Sequence, residues 1–159
     1  ETAHFYVIGV NSIRRRFHTR GHISLNQIQE IDALLQAAPS NKLKILVAHQ
    51  PFYTPPDNVH GIKDCPVLGR IALEQWSKNG LHALLHGHLH QPAVYDLNQI
   101  YALGAAHPVL DIHAGTAISQ RLHQGMPNSL NIVCNNGDVQ HYIFDVGQKQ
   151  FVLWQQNAE

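Results

Sequence analysis

Two apolar runs, each ending in a histidine, constrain this chain most. Ile45-Leu46-Val47-Ala48 leads into His49-Gln50-Pro51, and Leu81 to Leu85 leads into His86-Gly87-His88-Leu89-His90-Gln91-Pro92. Continuous apolar runs of this length suit strands covered on both faces, as in parallel sheets. Pro51 and Pro92 forbid continued ladder bonding, so the histidines fall just past the strand ends. Helical patterns separate the strands. Ser24-Leu25-Asn26-Gln27 reads as a capping box, with Leu25, Ile28, Ile31 and Leu35 at helical spacing before Pro39. Leu68, Ile71, Ala72, Gln75 and Trp76 repeat that spacing before Asn79-Gly80, and the pattern predicts Ile71 and Trp76 beneath the sheet. With an apolar strand over Phe5 to Gly9, the first half reads strand, helix, strand, helix, strand. That order gives an α/β fold whose ligand site lies beyond the carboxyl ends of the strands.

After Pro92 the pattern becomes β only. Ala93–Asp96 and Ile100–Leu103 read as a hairpin, and Val109–Ala114 as a strand. Ile132–Cys134 and Val139–Phe144 flank Asn135-Asn136-Gly137-Asp138, a strong turn signal, and Phe151–Trp154 pairs back. No repeat or linker divides the chain, so residues 1–159 are read as one domain.

Charge excludes some partners. Eleven basic residues balance eleven acidic ones, which removes any whole-chain attraction to nucleic acid or anionic lipid. No apolar run is long enough to span a bilayer, and Glu1-Thr2-Ala3-His4 lacks the features of a signal peptide; a cytoplasmic location is expected. Cys65 and Cys134 form no C-x-x-C pair, which argues against a thiolate zinc site. Thirteen histidines allow imidazole ligation, but the count fits surface histidines as well, so spacing decides. If the chain stays extended past Gly87, His88 and His90 point the same way roughly 6.6 Å apart, at about 3.3 Å per residue. His49, from the neighbouring strand, reaches the same cleft. Asp57, Asp64 and Asp111 read as isolated, and His86 and His113 as structural residues at strand ends.

These segments carry a family resemblance. Val47-Ala48-His49-Gln50-Pro51 and Gly87-His88-Leu89-His90 resemble the fourth and fifth motifs of calcineurin-like metallophosphoesterases. Ala114-Gly115-Thr116-Ala117 through Arg121 to Pro127-Asn128-Ser129-Leu130-Asn131 resembles the following segment of the subgroup with bacterial cyclic-nucleotide phosphodiesterases, and Gly9-Val10-Asn11-Ser12 with Gly21-His22-Ile23-Ser24 also fits. The resemblance implies an α/β (α+β) fold, the C-terminal part of a four-layer α-β-β-α sandwich. It implies a phosphodiesterase or phosphatase with two divalent transition metal ions (Mn, Fe, Zn or Co), His49 and His88 on one and His90 on the other. Asn11 and Arg121 are candidate contacts for a small phosphoester, a cyclic nucleotide among those considered. The family's D-x-H, G-D-x-x-D and G-N-H-[DE] motifs, with the general-acid histidine, are absent. No catalytic residue is therefore assigned. The isolated chain is expected to be inactive unless an N-terminal segment completes it; the alternative is a non-catalytic domain that binds metal or a protein partner.

Overall fold

The computed structural model describes residues 1–14, 16, 19–120, 122 and 125–154. The fold is mixed α/β. Strands β1 (Phe5–Gly9), β2 (Leu43–Val47) and β3 (Leu81–His86) alternate with α1 (Leu25–Ala37), α2 (Val59–Asp64) and α3 (Gly69–Trp76). Then come β4 (Ala93–Asp96), α4 (Leu97–Tyr101) and β5 (Leu110–His113). The sheet order is β1-β2-β3-β5-β4, parallel except for β4 against β5. A second sheet, β6-β7-β8, is an antiparallel meander of Ser129–Val133, Val139–Asp145 and Gln150–Leu153.

Helices and meander cover opposite faces of the large sheet. Ile28, Ile31 and Leu35 of α1 and Ala72, Leu73 and Trp76 of α3 pack with Leu46, Leu81 and Leu84. Trp76 is fully buried, and its indole N–H donates to the Ile28 carbonyl at 3.1 Å. On the other face, Ile45, Ala83 and Ile112 meet Val133 and Val139 of the meander. This gives α-β-β layering. That second face is covered incompletely: Val7 and Val47, in phase with Ile45, are 46% and 42% exposed. The expectation that the whole β2 run is buried on both faces therefore holds for Ile45 and Leu46 but fails at Val47. β1 also forms an outer edge of the sheet.

Local signals explain the element boundaries. The Ser24 capping box is present in both directions, Gln27 N–H to Ser24 Oγ at 3.2 Å and Ser24 N–H to Gln27 Oε1 at 3.0 Å. The Asn135–Asp138 turn forms with Gly137 at φ 91°, a conformation that glycine adopts without strain.

Three expectations fail. Leu25 opens α1 but is exposed, because the buried stripe begins at Ile28. Ile71 is 52% exposed; Gly69, Ala72, Leu73 and Trp76 form the buried stripe of α3, and Ile71 falls off it. Ile100–Leu103 is not a strand, because α4 occupies Leu97–Tyr101, started by Asp96, whose carboxylate accepts from the Asn98 N–H at 2.9 Å. Accordingly, Leu73→Ala should cost about 2–5 kcal/mol in a denaturant titration. Ile71→Ala should stay within about 1 kcal/mol of the parent. A larger loss for Ile71→Ala than for Leu73→Ala would refute this helix-face assignment.

Candidate metal centre

The site is built where strands β1, β2 and β3 end. Val10 N–H bonds to Val47 O at 2.8 Å, Ala48 N–H to Leu85 O at 3.0 Å, and His88 N–H to His49 O at 3.2 Å. These bonds continue the parallel ladder past the regular strands and hold the His49 and His88 backbones side by side. Ser12, fully buried in the loop after β1, pins the same corner. Its hydroxyl accepts from the His49 and Gln50 N–H groups, both at 3.2 Å, and donates to Gln50 Oε1 at 2.6 Å.

His49 and His88 meet edge to face, with ring centroids 4.9 Å apart and His49 Nε2 3.1 Å from His88 Nδ1. The other His88 nitrogen, Nε2, lies 3.0 Å from Asp64 Oδ2. An ionised carboxylate only accepts, so this contact fixes the proton on Nε2 and leaves the Nδ1 lone pair facing His49. Metal-binding histidines take this arrangement, with the far N–H donated to a carboxylate that orients the ring. At metal–nitrogen bonds of about 2.0–2.1 Å, two nitrogens 3.1 Å apart subtend an angle of about 100° at a shared ion, between octahedral and tetrahedral values. The spacing of the pair is that of two nitrogens on a shared ion, and sharing one requires His49 Nε2 to give up the proton it donates to His88 Nδ1. The pKa of His49 is lowered, by burial first and then by the positive charges of His88, His90 and His86. That shift favours the neutral ring, the form that ligates.

His90 departs from the expected geometry. The chain turns at His88–Leu89, the His90 N–H closes the turn onto Gly87 O at 3.2 Å, and His90 takes φ 56°. The extended spacing assumed from the H-x-H pattern does not exist. His90 Nδ1 instead meets Thr116 Oγ1 at 2.8 Å, in the loop after β5. Asn11 is exposed at the end of β1, where its Oδ1 accepts from the Ile13 N–H at 3.2 Å. Arg121 lies outside the described residues.

Two carboxylates that looked isolated are not. Asp64, the last residue of α2, holds His88. Sequence spacing gives no sign of this, because 24 residues separate the two. Asp111 sits fully buried between two imidazoles. Its Oδ1 is 3.0 Å from His86 Nε2 and its Oδ2 3.0 Å from His113 Nε2. The register explains the cluster: Leu84 pairs with Asp111 and His86 with His113, so side chains two apart on β3 and β5 share the helix-facing side. The available signal was the period-2 pair Asp111-x-His113 on one strand with His86 at the end of another. Burial works against the charged form of Asp111, but the positive charge of His86 and hydrogen bonds from His113 and His86 outweigh it and lower its pKa. Burial lowers the pKa of His113. Ligand atoms of His86, Asp111 and His113 all lie within 4.8 Å of one another, so this group could also hold a metal ion. It is closed off, however, and both Nε2 atoms already have a carboxylate oxygen.

No protein-family model matches the chain, and no curated protein matches it. Among solved structures it is similar to a Staphylococcus aureus protein provisionally described as a 5′-nucleotidase, crystallised with α-ketoglutarate. The similarity covers 93% of this chain at 15% identity and a TM-score of 0.44, too distant to carry a functional argument. The chain spans 25% of that protein's length. No helix among the described residues is long and apolar enough to cross a membrane.

Proposed function

We propose that this chain forms part of a metal-dependent phosphoester hydrolase, with its working metal centre at His49 and His88. The supporting observation is the chain of contacts from His49 through His88 to Asp64, which supplies two imidazole nitrogens at ligand spacing and a carboxylate behind one of them. His90, held by Thr116, is proposed as a ligand for a second ion, which makes the centre dinuclear. Zn, Mn, Fe and Co all suit such donors. The chemistry these ions supply when bound is stabilisation of charge on phosphoryl oxygens and a more acidic water. The chain's own residues bind and orient: Ser12 fixes the His49 backbone, Asp64 sets the His88 tautomer, and Thr116 holds the His90 ring.

This donor set lacks a bridging carboxylate and a general acid. We propose that a partner segment carrying D-x-H, G-D-x-x-D and G-N-H-[DE] supplies them and docks on the open β1 edge and the half-exposed face at Val7 and Val47. Co-expression with such a segment tests this. The complex should hydrolyse an aryl phosphodiester in a metal-dependent way, and the chain alone should not. Equal turnover by the isolated chain, or a metal-loaded complex without turnover, would refute the proposal.

A further inference from the structure

The loop after β1 carries Arg14, Arg16 and Arg20 among its described residues, and the sequence pattern reads it as a solvated basic stretch. Its geometry is more specific. Ile13 and Gly21 form an isolated antiparallel bridge, which closes the base of the loop that carries Arg14 and Arg20. Gly21 then donates to the Asp64 carbonyl at 2.7 Å. A Cβ on Gly21 would lie 2.4 Å from that carbonyl oxygen and 2.9 Å from Pro66, so only glycine permits this approach. The approach sets Arg20 against the end of α2, beside Lys63. Arg14, Arg20 and Lys63 line one cleft of about 370 Å³, with Cys65 and Val67.

Three cations share this cleft, and none of them has a carboxylate partner among the described residues. The acid nearest in sequence, Asp64, directs its carboxylate to His88. Arg14 Nε is buried without a hydrogen-bond partner among the described residues. Cys65 adds no negative charge: burial pushes its thiol up to about 12, and its Sγ lies 3.6 Å from Gly61 O. Like charges gathered in one cleft repel, and an unpaired buried donor is costly, so an anion bound among them would be stabilising. Guanidinium groups match the oxygens of tetrahedral oxyanions in bidentate fashion, and lysine adds a point charge.

We propose that Arg14, Arg20 and Lys63 form an anion-binding site for a phosphoryl group, separate from the His49–His88 centre. It uses none of the metal-binding histidines and does not depend on the hydrolase reading. The group can arrive as free phosphate or as the phosphoryl end of a larger molecule.

Isothermal titration of the chain with inorganic phosphate, with chelator present, tests the site. Phosphate should bind without metal. Arg14→Gln, Arg20→Gln and Lys63→Gln should each weaken it about tenfold or more, as loss of a charge-assisted contact does. Lys78→Gln, which removes a charge outside the cleft, should have no effect. Phenyl phosphate distinguishes the sources: equal affinity to phosphate marks a free-anion site, tighter binding marks a site for a larger molecule, and either supports the assignment. No phosphate binding by the parent chain, or equal weakening by Lys78→Gln, would overturn it.

Discussion

Replacing His88 with alanine should reduce the affinity of this chain for Zn or Mn by more than about 100-fold. Losing the carboxylate behind a ligating histidine typically costs about 10–100-fold, so loss of the ligand itself should exceed that range. His49 would be left as one imidazole where two nitrogens stood 3.1 Å apart. Asp64→Asn should fall within the smaller range. It keeps the shape but removes the charged acceptor that fixes the proton on His88 Nε2, so the Nδ1 lone pair is no longer guaranteed. His141→Ala should have no effect, because that ring belongs to the meander and bonds to Asn131. Competition against a chromophoric chelator would rank the three variants. Binding should also weaken as pH falls, because a ligating histidine must be neutral. The lowered pKa of His49 places its own contribution to that loss below about pH 6.5, the unperturbed histidine value. Unchanged affinity in His88→Ala would move the metal elsewhere, first to the buried His86–Asp111–His113 group.

What the sequence made legible was mostly local. The Ser24 capping box, the Asn135–Asp138 turn and the apolar runs of β2 and β3 each depend on residues within a few positions of one another, and each forms. The position of His49 beyond β2 was readable for the same reason. What failed required knowing which neighbour covers which face. The α3 pattern contained enough apolar residues for two stripes. Trp76 is buried as expected, and the choice of Leu73 over Ile71 beside it is made by α1 and the sheet, with which Leu73 and Trp76 pack. The H-x-H argument assumed that β3 continues, but the turn at His88–Leu89 breaks the alternation. Asp64 was unreadable because α2 is only six residues long and follows Pro55-Pro56 without a clear apolar period. Asp111 needed the β3–β5 register, which no single strand encodes.

Replacing Asp111 with alanine should destabilise the fold by about 2–6 kcal/mol, from two buried imidazole N–H groups left unsatisfied at about 1–3 kcal/mol each. The carboxylate is fully buried, and each of its oxygens takes one imidazole nitrogen at 3.0 Å. Alanine would leave His86 Nε2 and His113 Nε2 without an acceptor in a buried site where His86 Nδ1 already has no partner among the described residues. Asp111→Asn should cost less, because its amide oxygen still accepts from one ring. The pH dependence has a definite sign. Asp111 has a lowered pKa in the fold, so its contribution is present above the unfolded carboxylate value and disappears as pH falls through the folded one. His82, His113 and His141 are also lowered, chiefly by burial. Below about pH 6.5 the unfolded chain takes up protons that these folded rings resist, so stability should decline from that point downward. Urea titrations of the parent and both variants at pH 7.5 would measure the two substitution costs, and parent titrations from pH 7.5 down to about pH 3 would follow the histidine and Asp111 effects in turn. A parent midpoint that rises on acidification would contradict the burial of these histidines. An Asp111→Ala protein as stable as the parent would mean that the buried carboxylate does not hold the ends of β3 and β5 together.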